Sequence, residues 1–169
     1  IYLLESFRNG SLKTSQVFDV GQLAQVMALR AVIGSSEFDW LDTKFYFNPK
    51  TSLLEPISKE AHVDLNLNYK EYYFSWWIDS SKIRSHYIKD TNFFIDLLYQ
   101  DIEFYEKYLS ELNRLSSIKY YEELVKENLK DFKKYKKILK QNYPTKKIFS
   151  TEHLEINRVR IQDLLNPVQ

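Results

Sequence analysis

Asp39, Asp42, Glu60 and Asp64 are the residues of this sequence best suited to chemistry. They stand on either side of two strand-like runs, Lys44-Phe45-Tyr46-Phe47 and Ser52-Leu53-Leu54-Glu55, which flank Asn48-Pro49-Lys50-Thr51. That pattern predicts a β-hairpin with a four-residue turn. A hairpin returns its two ends to about 5 Å from one another, so acids before and after it are collected in one place. Carboxylates gathered this way can hold a divalent ion through oxygen ligands, or one of them can act as a base. The same acids suit a solvated loop equally well, because surface loops are rich in Asp and Glu.

The elements that must position these acids begin with a strongly marked helix. Asp19 stands where an N-cap belongs, Gln22 three residues later completes a capping box, and Phe18 and Leu23 are spaced as a hydrophobic staple. The helix so opened runs from Val20 to Ile33 and stops at Gly34. Apart from Gln22, Gln25 and Arg30 it is apolar nearly all round, which predicts burial on most sides. Its expected neighbours are the segments 90–115 and 118–141.

Before this helix, residues 1–17 read as a lead-in with a turn at Asn9-Gly10-Ser11. Residues 58–89 mix loop signals (Asn66, Asn68) with rings that need burial, among them Tyr72, Tyr73, Phe74, Trp76 and Trp77. From Asp90 onward the pattern is helical. Ile102, Tyr105, Leu109 and Leu112 keep a 3–4 spacing, and Ile118, Tyr121, Val125, Phe132 and Leu139 resume it after a break at Ser116-Ser117. Tyr143-Pro144 ends that long helix, since the residue before proline disfavours helical geometry. Ser150 caps a last helix that closes near Asn166-Pro167. The expected fold is therefore mainly α with one short β-hairpin, an α+β domain. Residues 1–169 form one domain, with a helix, acidic loop and hairpin core in 1–89 and a helical part in 90–169.

Composition supports that outline and removes several chemistries. With only 3 glycines and 4 prolines, long helices are expected rather than a sandwich of short strands. There is no cysteine, which excludes disulfides, thiolate zinc sites and cysteine nucleophiles together. A net charge of +1 argues against wholesale attraction to nucleic acid or anionic membrane. No run approaches the roughly 18 apolar residues of a membrane span. The aromatic content of 16% fits a core and half-buried surface built from rings. The chain opens on Ile1 rather than methionine and reads as part of a longer protein.

Several segments, taken in order, resemble the CotH-like (spore coat protein H-like) family of atypical kinases. They are Val17-Phe18-Asp19-Val20, Phe38-Asp39-Trp40, Phe45-Tyr46-Phe47-Asn48-Pro49 and Leu54-Glu55-Pro56-Ile57. Phe104-Tyr105-Glu106-Lys107-Tyr108-Leu109 and the closing Leu165-Asn166-Pro167 continue the likeness, which covers about residues 5–167. The resemblance implies the C-terminal lobe of a protein-kinase-like fold, transferring phosphate from ATP to hydroxyls of secreted or spore-surface proteins with Mg²⁺. It implies a location outside the cytoplasm or on a cell or spore surface. Asp39 then matches the catalytic-loop acid, and Asp42 sits where a loop amide or acid serves the metal. Where the family carries a metal-binding Asp, this sequence reads Ser58-Lys59-Glu60-Ala61-His62, so Glu60 is the nearest metal ligand, one methylene longer and beside Lys59. No Gly-rich loop or strand Lys that could grip phosphates is present. ATP and Mg²⁺ are accordingly not expected to bind this chain tightly by itself, and the activity belongs to the longer protein.

A second function class comes from the long helix. Lys126, Lys130, Lys133, Lys137 and Lys140 form a stripe away from the Val125-Phe132-Leu139 face, and nine lysines lie between Lys126 and Lys147 against Glu127 and Asp131. The stripe suits either a solvated helix face or a non-catalytic module that binds an acidic partner. With no arginine in the stripe, base readout is not suggested, so no specific nucleic-acid partner is expected. His62, His86 and His153 lack ligand spacing. Trp76-Trp77 fits core packing better than an exposed platform, because neighbours in a strand point oppositely. A carboxylate hydrolase built on the hairpin acids is a third reading, resting on acid count alone.

Overall fold

A computed structural model describes residues 2–35, 43–57, 97–146, 148 and 150–167. Helices α1 (Tyr2–Arg8), α2 (Thr14–Val17) and α3 (Val20–Ile33) lead into a two-stranded antiparallel sheet, β1 (Lys44–Asn48) and β2 (Leu53–Ile57). Helices α4 (Ile102–Ser116), α5 (Ile118–Asn142) and α6 (Thr151–Leu165) follow. The described residues are thus mainly helical with one hairpin, as the glycine-poor sequence and single hairpin signal lead one to expect. The lead-in is an exception. Residues 2–8 and 14–17 are helical, and they are separated by the expected turn, in which Gly10 takes a φ of 75°.

The α3 helix occupies the middle of the molecule. Asp19 caps it, its carboxylate accepting the Gln22 N–H at 3.0 Å. The capping box closes in a modified form. The Gln22 side-chain amide donates to the Asp19 carboxylate, because the Asp19 backbone N–H is already given to the Leu54 carbonyl at 2.9 Å. That bond, with the bridge between Phe18 and Leu54, hangs β2 on the start of α3. At the other end Gly34 is left-handed (φ 72°), and the Ser35 N–H reaches back to the Arg30 carbonyl at 2.9 Å. This is a Schellman-type stop, and it requires a residue with no penalty for positive φ.

Seven residues of α3 are buried, including Leu23, Met27 and Ala28, while Gly21, Gln22, Gln25 and Leu29 reach solvent. The helix is therefore covered on one broad face rather than all round. Its neighbours also differ in part from expectation. It packs most extensively on α4 and next on α6, whereas the main contacts of α5 are to α4 and α6. Length explains the exchange: at 1.5 Å per residue α5 extends about 37 Å against about 21 Å for α3, so it overshoots the core. Phe7, Phe18, Leu98, Phe104, Tyr108, Leu112 and Ile161 join α3 in one apolar cluster. The Phe18 ring lies edge-on to Phe7 at 5.1 Å and against Phe45 at 5.0 Å, so the hairpin is part of that core. The described residues before 58 and after 96 consequently share one apolar cluster.

The hairpin pairs Lys44 with Ile57 through to Asn48 with Leu53, and residues 49–52 form its turn. Asn48 builds the turn: its side-chain oxygen accepts the Lys50 N–H at 2.9 Å and its carbonyl accepts the Ser52 N–H at 2.8 Å. Its amide also donates to Glu55 across the strands at 2.6 Å. An Asx-type turn of this kind holds the register without glycine, although Ser52 must take a φ of 59°.

Asp101 joins the N-terminal helices to the C-terminal half. One carboxylate oxygen accepts the Ser15 N–H (2.8 Å) and hydroxyl (2.7 Å), and the other accepts the Glu103 N–H (3.0 Å), capping α4. The buried Thr14 hydroxyl donates to the Leu98 carbonyl at 3.0 Å beside it. Burial pushes the Asp101 carboxyl up, but the Ser15 and Glu103 hydrogen bonds and the charge of Lys13 outweigh it and hold the group below its ordinary value.

Candidate functional site

Two regions of the described structure bear on function. The first is the frame around the acidic segment. Asp39 and Asp42 lie outside the described residues, as do Glu60, Lys59, Asp64, His62, His86, Trp76 and Trp77. What the structure fixes are the points from which their segments depart. Residues 36–42 lie between Ser35, just past the end of α3, and Thr43, the residue before β1. Residues 58 onward leave from the end of β2, whose Leu54 is tied to the cap of α3. Both departures therefore come from one packed unit.

The exit from α3 is clamped by α6. The Asn157 side-chain amide donates to the Val32 carbonyl at 3.1 Å, satisfying a last-turn oxygen that the helix itself leaves open. The same amide covers Gly34 so closely that a Cβ there would meet its nitrogen at 2.8 Å. Gly34 is thus demanded twice, by its left-handed backbone and by Asn157 above it. Ser35 is buried, and among the described residues its hydroxyl has no hydrogen-bond partner. Arg30, one turn earlier, is also buried although it carries a charge. Sequence reasoning identified Gly34 as a helix stop, but not Asn157, whose partner stands 125 positions away.

Among the described residues no group of three or more His, Asp or Glu could hold a metal ion. Three of the described acids are engaged within the fold: Glu111 bonds Arg114 at 2.7 Å, Glu155 bonds Arg158, and Asp101 is the structural cap. Hydrogen bonding to Arg158 lowers the Glu155 carboxyl against the opposing effect of burial. His153 sits in the first turn of α6 with Nδ1 3.1 Å from the Ser150 hydroxyl, a capping role rather than a ligand's. The phenols of Tyr99, just before α4, and Tyr108, within it, are buried, and burial drives both well above the usual tyrosine range.

The second region is α5, in which no residue is buried. Its apolar stripe has two fates. Near the start, Tyr121 donates its hydroxyl to the Thr151 carbonyl at 3.4 Å, and the Arg158 guanidinium lies 5.6 Å from its ring. The Arg114 guanidinium stands 5.4 Å from the Tyr120 ring. This part of the stripe forms a seam with α4 and α6. Farther on, every residue from Lys133 to Lys146 is exposed, Tyr135 at 55%, Leu139 at 42% and Tyr143 at 58%. A groove of about 600 Å³ runs along this second half, between α5 and Ile148 of the returning chain. Among the described residues no helix is long and apolar enough to cross a membrane.

Comparison with protein-family models, with curated proteins and with solved structures gives no match.

Proposed function

We propose that this chain is the C-lobe-like portion of a CotH-like protein kinase, in which phosphate passes from ATP to protein hydroxyls. The order of its motif segments supports this, from Val17-Phe18-Asp19-Val20 through Phe38-Asp39-Trp40 to Leu54-Glu55-Pro56-Ile57. The observation that carries it is the Asp19–Leu54 backbone bond. It joins the buried helix and the hairpin into one rigid mount for the two acidic segments, and phosphoryl transfer depends above all on positioning. In this proposal Asp39 orients the attacking hydroxyl and accepts its proton, while Asp42 and Glu60 hold Mg²⁺. The partner is a protein substrate met outside the cytoplasm. The grip on the phosphates comes from a lobe not contained in this chain, so the chain alone binds ATP–Mg²⁺ no more tightly than millimolar.

Radiolabel transfer by the protein carrying that lobe tests the assignment. Asp39→Asn is expected to abolish transfer, and Glu60→Asp to preserve or raise it by restoring the family's acid. Unchanged transfer with Asp39→Asn would remove Asp39 from the chemistry.

A second reading is favoured by the absence of any buried residue in α5. A helix of 25 residues in which none is buried is well placed to bind another molecule. Residues 126–146 hold eight described lysines and only two acids, Glu127 and Asp131, so the partner of α5 is acidic. Docking and phosphoryl transfer are compatible, since a kinase gains from holding its substrate away from the catalytic loop.

A further inference from the structure

Taking α5 as a docking element, we propose that its partner is an acidic amphipathic helix seated in the groove of Tyr135, Leu139 and Tyr143, and that the lysine stripe only attracts it. At 100° per residue Tyr135 and Leu139 share one side of α5 with Tyr121 and Val125, and Tyr143 is the residue that ends the helix. Lys126, Lys130, Lys133, Lys137 and Lys140 centre on the far side. One partner cannot lie against both faces. The side that can bury apolar surface is the groove, and burial rather than exposed charge supplies affinity.

Three observations define the occupant. The groove continues the seam that α5 already makes with α6 near Tyr121, so its shape is that of a helix-packing surface. It is concave, about 600 Å³, and takes projecting side chains rather than a flat layer of lipid. Its charged lining is Lys136 and Lys146 with Asp131 across from them, within a region where lysines outnumber acids eight to two. Acids on the partner's flank meet Lys136 and Lys146, and a single basic residue opposite Asp131 fixes its direction. A second copy of α5 is disfavoured, because it would set this surplus of lysines against itself.

The probe is a synthetic 18-residue helical peptide with leucines at i, i+3 and i+7 and glutamates on both flanks, titrated into the whole chain by fluorescence anisotropy. Saturable binding is expected. It should weaken at least tenfold in Leu139→Ser and in Tyr135→Ser, and also when the glutamates become lysines. Lys136→Glu is a second, purely surface change that should also weaken it, and unchanged circular dichroism will establish that each variant folds. Replacing Lys130, Lys133 and Lys137 with Gln should slow association but alter the dissociation rate less than twofold. Loss of binding in that triple variant, with full binding in Leu139→Ser, would place the contact on the lysine face and overturn the groove while leaving an acidic partner in place. No binding of the peptide at all would overturn both. Tighter binding to phosphatidylserine vesicles than to the peptide, or a dimer in sedimentation that Leu139→Ser dissolves, would also overturn the groove's assigned occupant.

Discussion

Helices α3 and α5 are built from similar proportions of helix-forming residues, yet they have opposite fates. The shorter one, of 14 residues, buries seven; the longer one, of 25, buries none. The difference is where the apolar residues fall and what the ends are tied to. In α3 Leu23, Ala24, Met27 and Ala28 make a broad face of small and flexible side chains against which α4 and α6 close. Both of its ends are then fixed from outside, by Leu54 at Asp19 and by Asn157 at Val32. In α5 the apolar residues form a narrow stripe, and from Lys133 onward every described residue of the helix is exposed. Helix length signals neither burial nor importance to stability; external ties at the termini and a wide apolar face do.

The largest expected effect that could break this contrast is in the core. Met27 is fully buried, so Met27→Ala should cost about 2–5 kcal/mol in denaturant unfolding. Leu139→Ala, at a half-exposed position of α5, should cost less than about 1 kcal/mol. Equal losses would mean that α5 belongs to the core after all.

Asp101 should come next. Asp101→Asn removes a charge that three donors point at, and should cost about 1–3 kcal/mol at neutral pH. Folding lowers this carboxyl below its unfolded pKa of about 3.9, so its contribution is complete above that value. It fades as pH falls through the folded pKa. The wild type and Asp101→Asn should therefore converge in stability under acid, and a gap that stays constant down to the folded pKa would show that the charge is not what holds the tie.

At Gly34 a smaller loss is expected. Gly34→Ala should cost about 1–2 kcal/mol from the left-handed backbone, with an additional part from crowding Asn157. The additional part should vanish in the Asn157→Ala background, so a double-mutant cycle separates the two. Smallest of all, replacing Lys130, Lys133 and Lys137 with Gln should shift stability by well under about 1 kcal/mol.

Local features were readable from the sequence. Asp19, Gln22 and Gly34 mark α3 because a helix end is decided by residues within one turn of it. Asn48-Pro49-Lys50-Thr51 marks the hairpin for the same reason, and Ser117, Tyr143-Pro144 and Ser150 mark the later helix boundaries. Long-range choices were not readable. That α6 rather than α5 fills the second side of α3 depends on how far α5 overshoots, which periodicity does not reveal. Asp101 is separated by 86 positions from Ser15, although its place just before Ile102-Glu103 was an available capping signal. Asn157 gave no signal, since an asparagine inside a helix has many uses. The acids Asp39, Asp42 and Glu60 came from pattern and resemblance, and they lie outside the described residues.

Amide hydrogen exchange on the whole chain, resolved by residue, tests the contrast between the two helices most directly. Amides of α3 are predicted to exchange only through global unfolding, while those of residues 133–142 exchange through local fraying, at least a hundredfold faster. Adding the acidic peptide should protect 133–142 and leave α3 unchanged. Protection of 133–142 equal to that of α3 in the free chain would contradict the account, because α5 would then be part of the core rather than a surface awaiting a partner.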